Sequence, residues 1–182
     1  MTSARAVVAA LLLMVAAGPS FAQITREEAL ASVYPDADVR AEQVFLTPAQ
    51  QKQVLMLADS EAPSALVARY VATRDGKLVG RAYVDTHTVR TKRESLLISL
   101  DADGRVKRVD VTAFLEPSEY RASNAWLRQY QDRTLTDDVA LNRAIRPIAG
   151  ATLTARAANA AVRRVLAIDQ VLSGAPAPGA AR

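Results

Sequence analysis

Apolar residues between positions 65 and 114 fall into four short runs, each closed by a polar or turn-forming stretch. They are Ala65–Thr73, Leu78–Thr86, Ser95–Asp101 and Val106–Phe114. Arg74-Asp75-Gly76-Lys77 separates the first pair and Asp103-Gly104 lies between the second. Asp-Gly steps supply the positive φ angles that tight hairpins need, so the runs predict an antiparallel sheet. Parallel strands would require crossover helices, and the connections are too short to hold them. In the last run Val106, Arg108, Asp110 and Thr112 are expected on one face, and Lys107, Val109, Val111 and Ala113 on the other.

Outside these runs the apolar period lengthens to three and four. Thr25-Arg26-Glu27-Glu28 fits a capping box, opening a helix with Ala29, Leu30 and Val33 on one side and Pro35 as its stop. Val39–Leu46 predicts a strand. Thr47-Pro48 with Gln50 predicts a second helix start, the helix running over Gln51 to about Asp59. Pro117–Tyr130 carries Trp126, Leu127 and Tyr130 at packing intervals, and Thr136-Asp137-Asp138 opens a short helix to about Arg143. Thr154–Leu172 is the longest helix, with Ala158, Ala161, Val165, Ile168 and Leu172 along one side. Strands followed by helices without alternation define an α+β fold, an antiparallel sheet with helices packed on it in a single domain.

The two ends read differently. Residues 1–22 have the plan of a secretory signal peptide: basic Arg5, an apolar run over Ala6–Ala17, helix-breaking Gly18-Pro19, and small Ser20 and Ala22 flanking Phe21. Cleavage before Gln23 is expected, with a periplasmic product of net charge +3 in place of +4 once Arg5 is lost. An uncut leader would instead leave an inner-membrane anchor, although the run is short for a span. Residues 173–182 (SGAPAPGAAR) are small and rich in Pro and Gly, and are expected to form a disordered tail. The mature chain then divides into an N-terminal helix and strand extension over 23–64 and a principal domain over 65–172.

Composition removes several chemistries. The chain has no cysteine, which excludes disulfides, thiolate metal sites, haem attachment through CxxCH and cysteine nucleophiles. One histidine, His87, excludes a multi-histidine metal centre. No G-x-S-x-G elbow accompanies it. The small, scattered basic excess gives no footprint for nucleic acid.

The candidate chemistry lies in Ile145–Ala157, I-R-P-I-A-G-A-T-L-T-A-R-A, which leads from a Pro turn into the longest helix. Gly150 allows close backbone approach. Thr152 and Thr154 stand at the helix start, where free N–H groups and the positive dipole end favour an anion. Arg146, Arg156 and Arg163 are close enough in sequence to add positive charge. The same residues also fit ordinary capping by Thr154, with Gly150 as a turn residue.

Gly150-Ala151-Thr152-Leu153-Thr154 resembles the flavin-attachment motif of the FMN-binding domain family, which includes periplasmic flavin subunits of the Rnf and sodium-translocating NADH:quinone reductase complexes. Other stretches match the family's order of elements. They are Val79-Gly80 after a hairpin, Asp85-Thr86-His87, Leu96–Val111 around Asp103-Gly104, Glu116-Pro117 with Tyr120, Trp126-Leu127 with Gln129, and Ala161-Val162-Arg163-Arg164. The likeness covers about Ala65 to Ala167, the size of one domain. It implies FMN joined through a phosphoester to Thr152, an attachment residue rather than a catalyst. It also implies an ApbE-type flavin transferase that makes the bond from FAD, and Glu116 near the flavin. Gly150, Ala151, Leu153, Thr154 and Arg146 would complete the cofactor-binding set. Two positions depart from the motif: Arg146 stands where the family usually has Asp, and Ala149 where it has Ser or Thr. Arg146 is either a position the transferase reads or a phosphate ligand of covalent or noncovalent FMN.

The expectation is an exported FMN-binding electron carrier that exchanges electrons with a membrane-bound redox protein and has no stand-alone catalysis. The alternative is a flavin-free periplasmic binding or interaction module on the same fold. His87 is expected as a packed or surface histidine, or as a proton donor or ring contact. Trp126 and Tyr130 are expected in the core. Arg90-Thr91-Lys92-Arg93 reads as a solvated loop or as a docking patch for an acidic redox partner.

Overall fold

The computed structural model describes residues 24–174. The predicted signal peptide, and the predicted tail beyond Gly174, lie outside the described residues. The elements in chain order are helix α1 (Arg26–Val33), strand β1 (Asp38–Phe45), helix α2 (Pro48–Ala58), and strands β2 (Leu66–Arg74), β3 (Lys77–Thr88), β4 (Arg93–Asp101) and β5 (Val106–Phe114). Helix α3 (Asn124–Leu127), flanked by 3-10 turns at Ser118–Tyr120 and Arg128–Tyr130, and helix α4 (Thr152–Ser173) complete it. Among the described residues no helix is long and apolar enough to cross a membrane.

The five strands form one antiparallel sheet in the order β1-β2-β3-β4-β5, an α+β fold. The β2–β3 and β4–β5 links are short hairpins, which is why the signals at Asp75-Gly76 and Asp103-Gly104 place those two pairs correctly; β1 reaches β2 only through α2. Asp75 and Gly76 both adopt positive φ, 51° and 72°, as a two-residue hairpin turn requires. Both predicted capping boxes form: Thr25 and Thr47 accept from the N3 backbone, and Glu28 and Gln50 reach back to the cap N–H. Strand β1 pairs with β2 from Asp38↔Thr73 to Phe45↔Leu66, so residues assigned to an N-terminal extension supply an edge of the same sheet.

The larger core lies between the sheet and α2, α3 and α4, around Tyr83, Leu96, Ile98, Leu100, Tyr130 and Val162. The opposite face is covered by α1, whose Ala29, Leu30 and Val33 pack with Tyr34 on Ala72, Ala82 and Leu97.

Three sequence expectations are corrected. The predicted alternation of β5 fails because the register shifts at Ser99/Leu100 and at Ser95/Leu96. Lys107 and Thr112 are the extra residues, and a bulge lets the strand change which side it presents. Val106, Val109, Val111 and Phe114 therefore all join the larger core. The helix predicted over Pro117–Tyr130 is broken: Arg121 and Ser123 are extended, and Ser123 caps α3 by accepting from Trp126 N–H at 3.1 Å. The short helix predicted from Thr136 to Arg143 is a set of turns. The carbonyls of Thr136 and Val139, which such a helix would use internally, accept from the Arg163 guanidinium at 2.8 and 3.2 Å.

Candidate functional site

The loop before α4 is shaped by its backbone. Asn142 N–H donates to Ile145 C=O at 3.0 Å. Arg146 N–H donates to Gln129 Oε1 at 2.9 Å, and its carbonyl accepts from Trp126 Nε1 at 2.7 Å. Ala151 N–H closes a turn onto Ile148 C=O, and Gly150 takes the positive φ of 76° that this turn needs. Helix α4 starts immediately afterwards with Ala151 as its N-cap, a residue with no side-chain acceptor. The first-turn N–H groups of Thr152, Leu153 and Thr154 are thus left to solvent or to a ligand.

The two threonines differ. Thr152 is exposed as the first helical residue, whereas Thr154 is the third and is buried. Thr154 is not the cap the sequence suggested, because the helix begins two residues earlier.

Thr152 opens on a cavity of about 320 Å³ lined by Val89, Arg90, Glu116, Tyr120 and the Gly150–Thr154 segment. This brings together most of the residues singled out in the sequence: Gly150, Ala151, Thr152, Leu153, Thr154 and Glu116. Glu116 Oε1 accepts from the N–H groups of Thr91 and Lys92 at 2.7 and 2.8 Å and, more weakly, Arg90 at 3.3 Å. These backbone donors hold its carboxyl below the usual range. Glu116 thereby clamps the β3–β4 turn as one wall of the cavity.

The predicted arginines do not converge there. Arg146 is exposed and outside the cavity lining. Arg156 lines a neighbouring cavity of about 330 Å³. Arg163 is buried, and its Nε donates to Ala58 C=O at 2.8 Å, closing the C-terminal end of α2. Arg90, from the opposite wall, is the arginine lining the Thr152 cavity.

The Thr152 cavity continues along α4. It shares Val89 and Leu153 with the cavity at Arg156. That cavity shares Glu61, His87, Thr88 and Arg164 with a larger one, about 530 Å³, which extends over Tyr83 to Leu66. The cavity at the helix start is therefore smaller than this one, and the free first-turn N–H groups make it the candidate site.

A polar seam runs beneath this groove. Alternate residues of β3, Arg81, Tyr83, Asp85 and His87, meet α4 and β4. Arg81 and Tyr83 bond Asp169, the latter at 2.7 Å. Arg164 makes paired bonds of 2.7 and 2.8 Å to Asp85. His87 lies between two carboxylates, Nδ1 at 2.9 Å from Asp85 and Nε2 at 3.1 Å from Glu94. Burial alone would lower the His87 pKa, but the bonds to Asp85 and Glu94 prevail and raise it to about 9. Burial would likewise raise Asp85; His87 and Arg164 outweigh it and hold Asp85 at about 2. His87 is thus a packed histidine with both nitrogens engaged, which leaves neither free to serve a ligand. Sequence reasoning missed its partners Glu94 and Arg164; the period-two series on β3 was the signal available.

Tyr130 is fully buried, with Trp126 edge-on to it at 5.6 Å between ring centres. Trp126 is partly buried against the core and holds the Arg146 carbonyl, so it supports the loop from behind.

Comparison with known proteins finds no matching family model, no matching curated protein and no matching solved structure.

Proposed function

We propose that the chain is an exported FMN-binding electron carrier, with the flavin phosphate joined to Thr152. The observation that carries this reading is an exposed Thr152 beside the uncapped N-terminus of a 22-residue helix, lining a cavity with apolar walls. The residues present fit the group. The N–H groups of Thr152, Leu153 and Thr154 and the helix dipole suit a phosphate dianion. Val89, Tyr120 and the half-exposed Leu153 offer apolar surface to a planar ring. When bound, FMN supplies electron transfer that protein side chains cannot.

The chain's own residues attach, position and shield. In the attachment step the Thr152 hydroxyl oxygen displaces AMP from the FMN-side phosphorus of FAD. One P–O bond forms, the pyrophosphate P–O bond breaks, and the hydroxyl proton is released. An ApbE-type flavin transferase provides the FAD site. Glu116 holds the turn that forms the opposite wall. The exposed Arg90, Lys92 and Arg93 surround that turn and suit docking of an acidic, membrane-bound redox protein. A periplasmic location is part of this proposal; its support is the signal-peptide pattern of residues 1–22 and the advantage of a tethered cofactor where free FMN is scarce.

The position of Arg146 outside the cavity favours a second reading, a flavin-free binding module that uses the helix start for another anion. Co-expression with the transferase decides. Visible flavin absorbance that survives denaturation, with an intact mass raised by one FMN less water, is expected. Colourless protein of unmodified mass under these conditions overturns the flavin reading.

A further inference from the structure

His87 lies two residues before Val89 and three before Arg90, both of which line the Thr152 cavity. The pairs His87↔Glu94 and Thr88↔Arg93 are the last rungs of the β3–β4 ladder, and Val89 N–H closes the turn onto Lys92 C=O at 3.1 Å. The side-chain bond from His87 to Glu94 crosses the same rung. We propose that His87 is a positioning residue of the Thr152 cavity: as an imidazolium bridging Asp85 and Glu94, it holds the Val89–Lys92 wall in place. The placement of that wall then depends on protonation. This deepens the flavin reading by naming a control on the same site, and its bearing on flavin rests on that reading.

The argument is one of donors and acceptors. Each ring nitrogen faces a carboxylate oxygen, and only the protonated ring has an N–H for both. A neutral ring would keep one bond and turn a lone pair toward the other carboxylate. Asp85 would remain paired with Arg164. Glu94 would not: it is fully buried, and its Oε1 already has no partner. A buried carboxylate without a counter-charge is costly, so the rung would open toward water. The charges around His87 are Asp85 on β3, Glu94 on β4, Arg164 on α4, and Glu61 from the segment between α2 and β2. Arg156 and Asp59 line the adjoining cavity, and Tyr130 lies near Glu94. Among these, Glu94 depends on His87 alone for its side-chain hydrogen bond. The raised His87 pKa agrees with the bridged geometry.

The test is carbon-13 NMR of the flavin-free protein from about pH 6 to about pH 10, following the His87 ring and the Val89 and Leu153 methyl groups. With one histidine in the chain, the ring signal is unambiguous. The expected result is a ring midpoint near 9, with the Val89 methyl signals moving at the same midpoint. Glu94→Gln should lower both midpoints by about one pH unit or more. If Glu94→Gln does not fold, His87→Gln decides: its Val89 signals should lose the transition. In protein loaded with FMN, flavin fluorescence should follow the same midpoint. Val89 signals that stay flat through the His87 transition, or a ring that titrates near the ordinary 6.5, overturn the proposal. Methyl groups that follow His87 in a protein that takes no flavin uphold the coupling and overturn the flavin reading alone.

Discussion

The ring of Tyr34 occupies the space that a side chain on Gly80 would need. A Cβ at Gly80 would stand 2.4 Å from Tyr34 Cε1 and 2.4 Å from the Leu100 carbonyl oxygen. The Tyr34 hydroxyl lies 2.7 Å from the carbonyl oxygens of both Arg81 and Leu100, so this contact fastens the end of α1 to β3 and β4. It coincides with the register shift of β3 against β2, where Gly80 pairs Ala72 and Leu78 pairs Thr73.

Gly80→Ala should therefore destabilise the fold by about 1–3 kcal/mol, because one obstructing atom is backbone and cannot rotate away. Denaturant unfolding measures this. A loss within experimental error would show that the contact is readily relaxed.

Arg164→Met should cost about 3 kcal/mol, since it leaves a buried carboxylate with only His87 for company. Replacing Asp85 as well, in Arg164→Met/Asp85→Ala, should cost less than the sum of the single changes. A double-mutant cycle with no coupling would contradict the paired geometry.

Stability should fall at both ends of the pH scale. His87 has a raised pKa, so its contribution is complete below 6.5 and is lost as pH rises through about 9. Asp85 has a lowered pKa, so its contribution is complete above 3.8 and is lost as pH falls through about 2. Urea midpoints measured across pH should decline in both limbs, and His87→Gln should flatten the alkaline one.

Thr152→Val removes the atom that forms the proposed phosphoester and should abolish covalent flavin while leaving the fold intact. Thr154→Val should keep any flavin the protein takes, because Thr154 is buried two residues beyond the proposed attachment residue and the volumes match. Gel fluorescence after denaturation reports both. Covalent flavin in Thr152→Val would place the attachment elsewhere.

Arg146→Asp tests the proposed recognition by a flavin transferase without disturbing the cavity, since the residue is held through its backbone N–H and C=O. Thermal unfolding should be unchanged. Covalent loading should rise if the transferase reads an acid at this position; a fall in FMN occupancy would mean that the side chain reaches the phosphate.

Local signals in the sequence were enough for much of the architecture. The capping boxes at Thr25 and Thr47 and the Asp-Gly turns involve residues within a few positions of one another, so side-chain identity alone specifies them. The helix-start loop with Gly150 and Thr152 was legible for the same reason. The β5 faces were not, because the bulges at Lys107 and Thr112 arise from pairing with β4 and leave no mark on β5 alone. The helix expected from Thr136 to Arg143 failed because Arg163 takes its carbonyls from 24 and 27 positions away.

The sequence by itself determined the class of fold, the β2–β3 and β4–β5 hairpins, and a helix start within two residues of Thr154. Those features rest on hairpin chemistry, capping and apolar period, all of which act over a few residues. Tertiary structure decided which charges belong to the site. Arg164 meets Asp85 across 79 positions, and Arg81 meets Asp169 across 88. Only the packing of α4 on β3 sets opposite charges against each other at that separation. The same packing removed Arg163 from the candidate anion site and fixed His87 between two carboxylates.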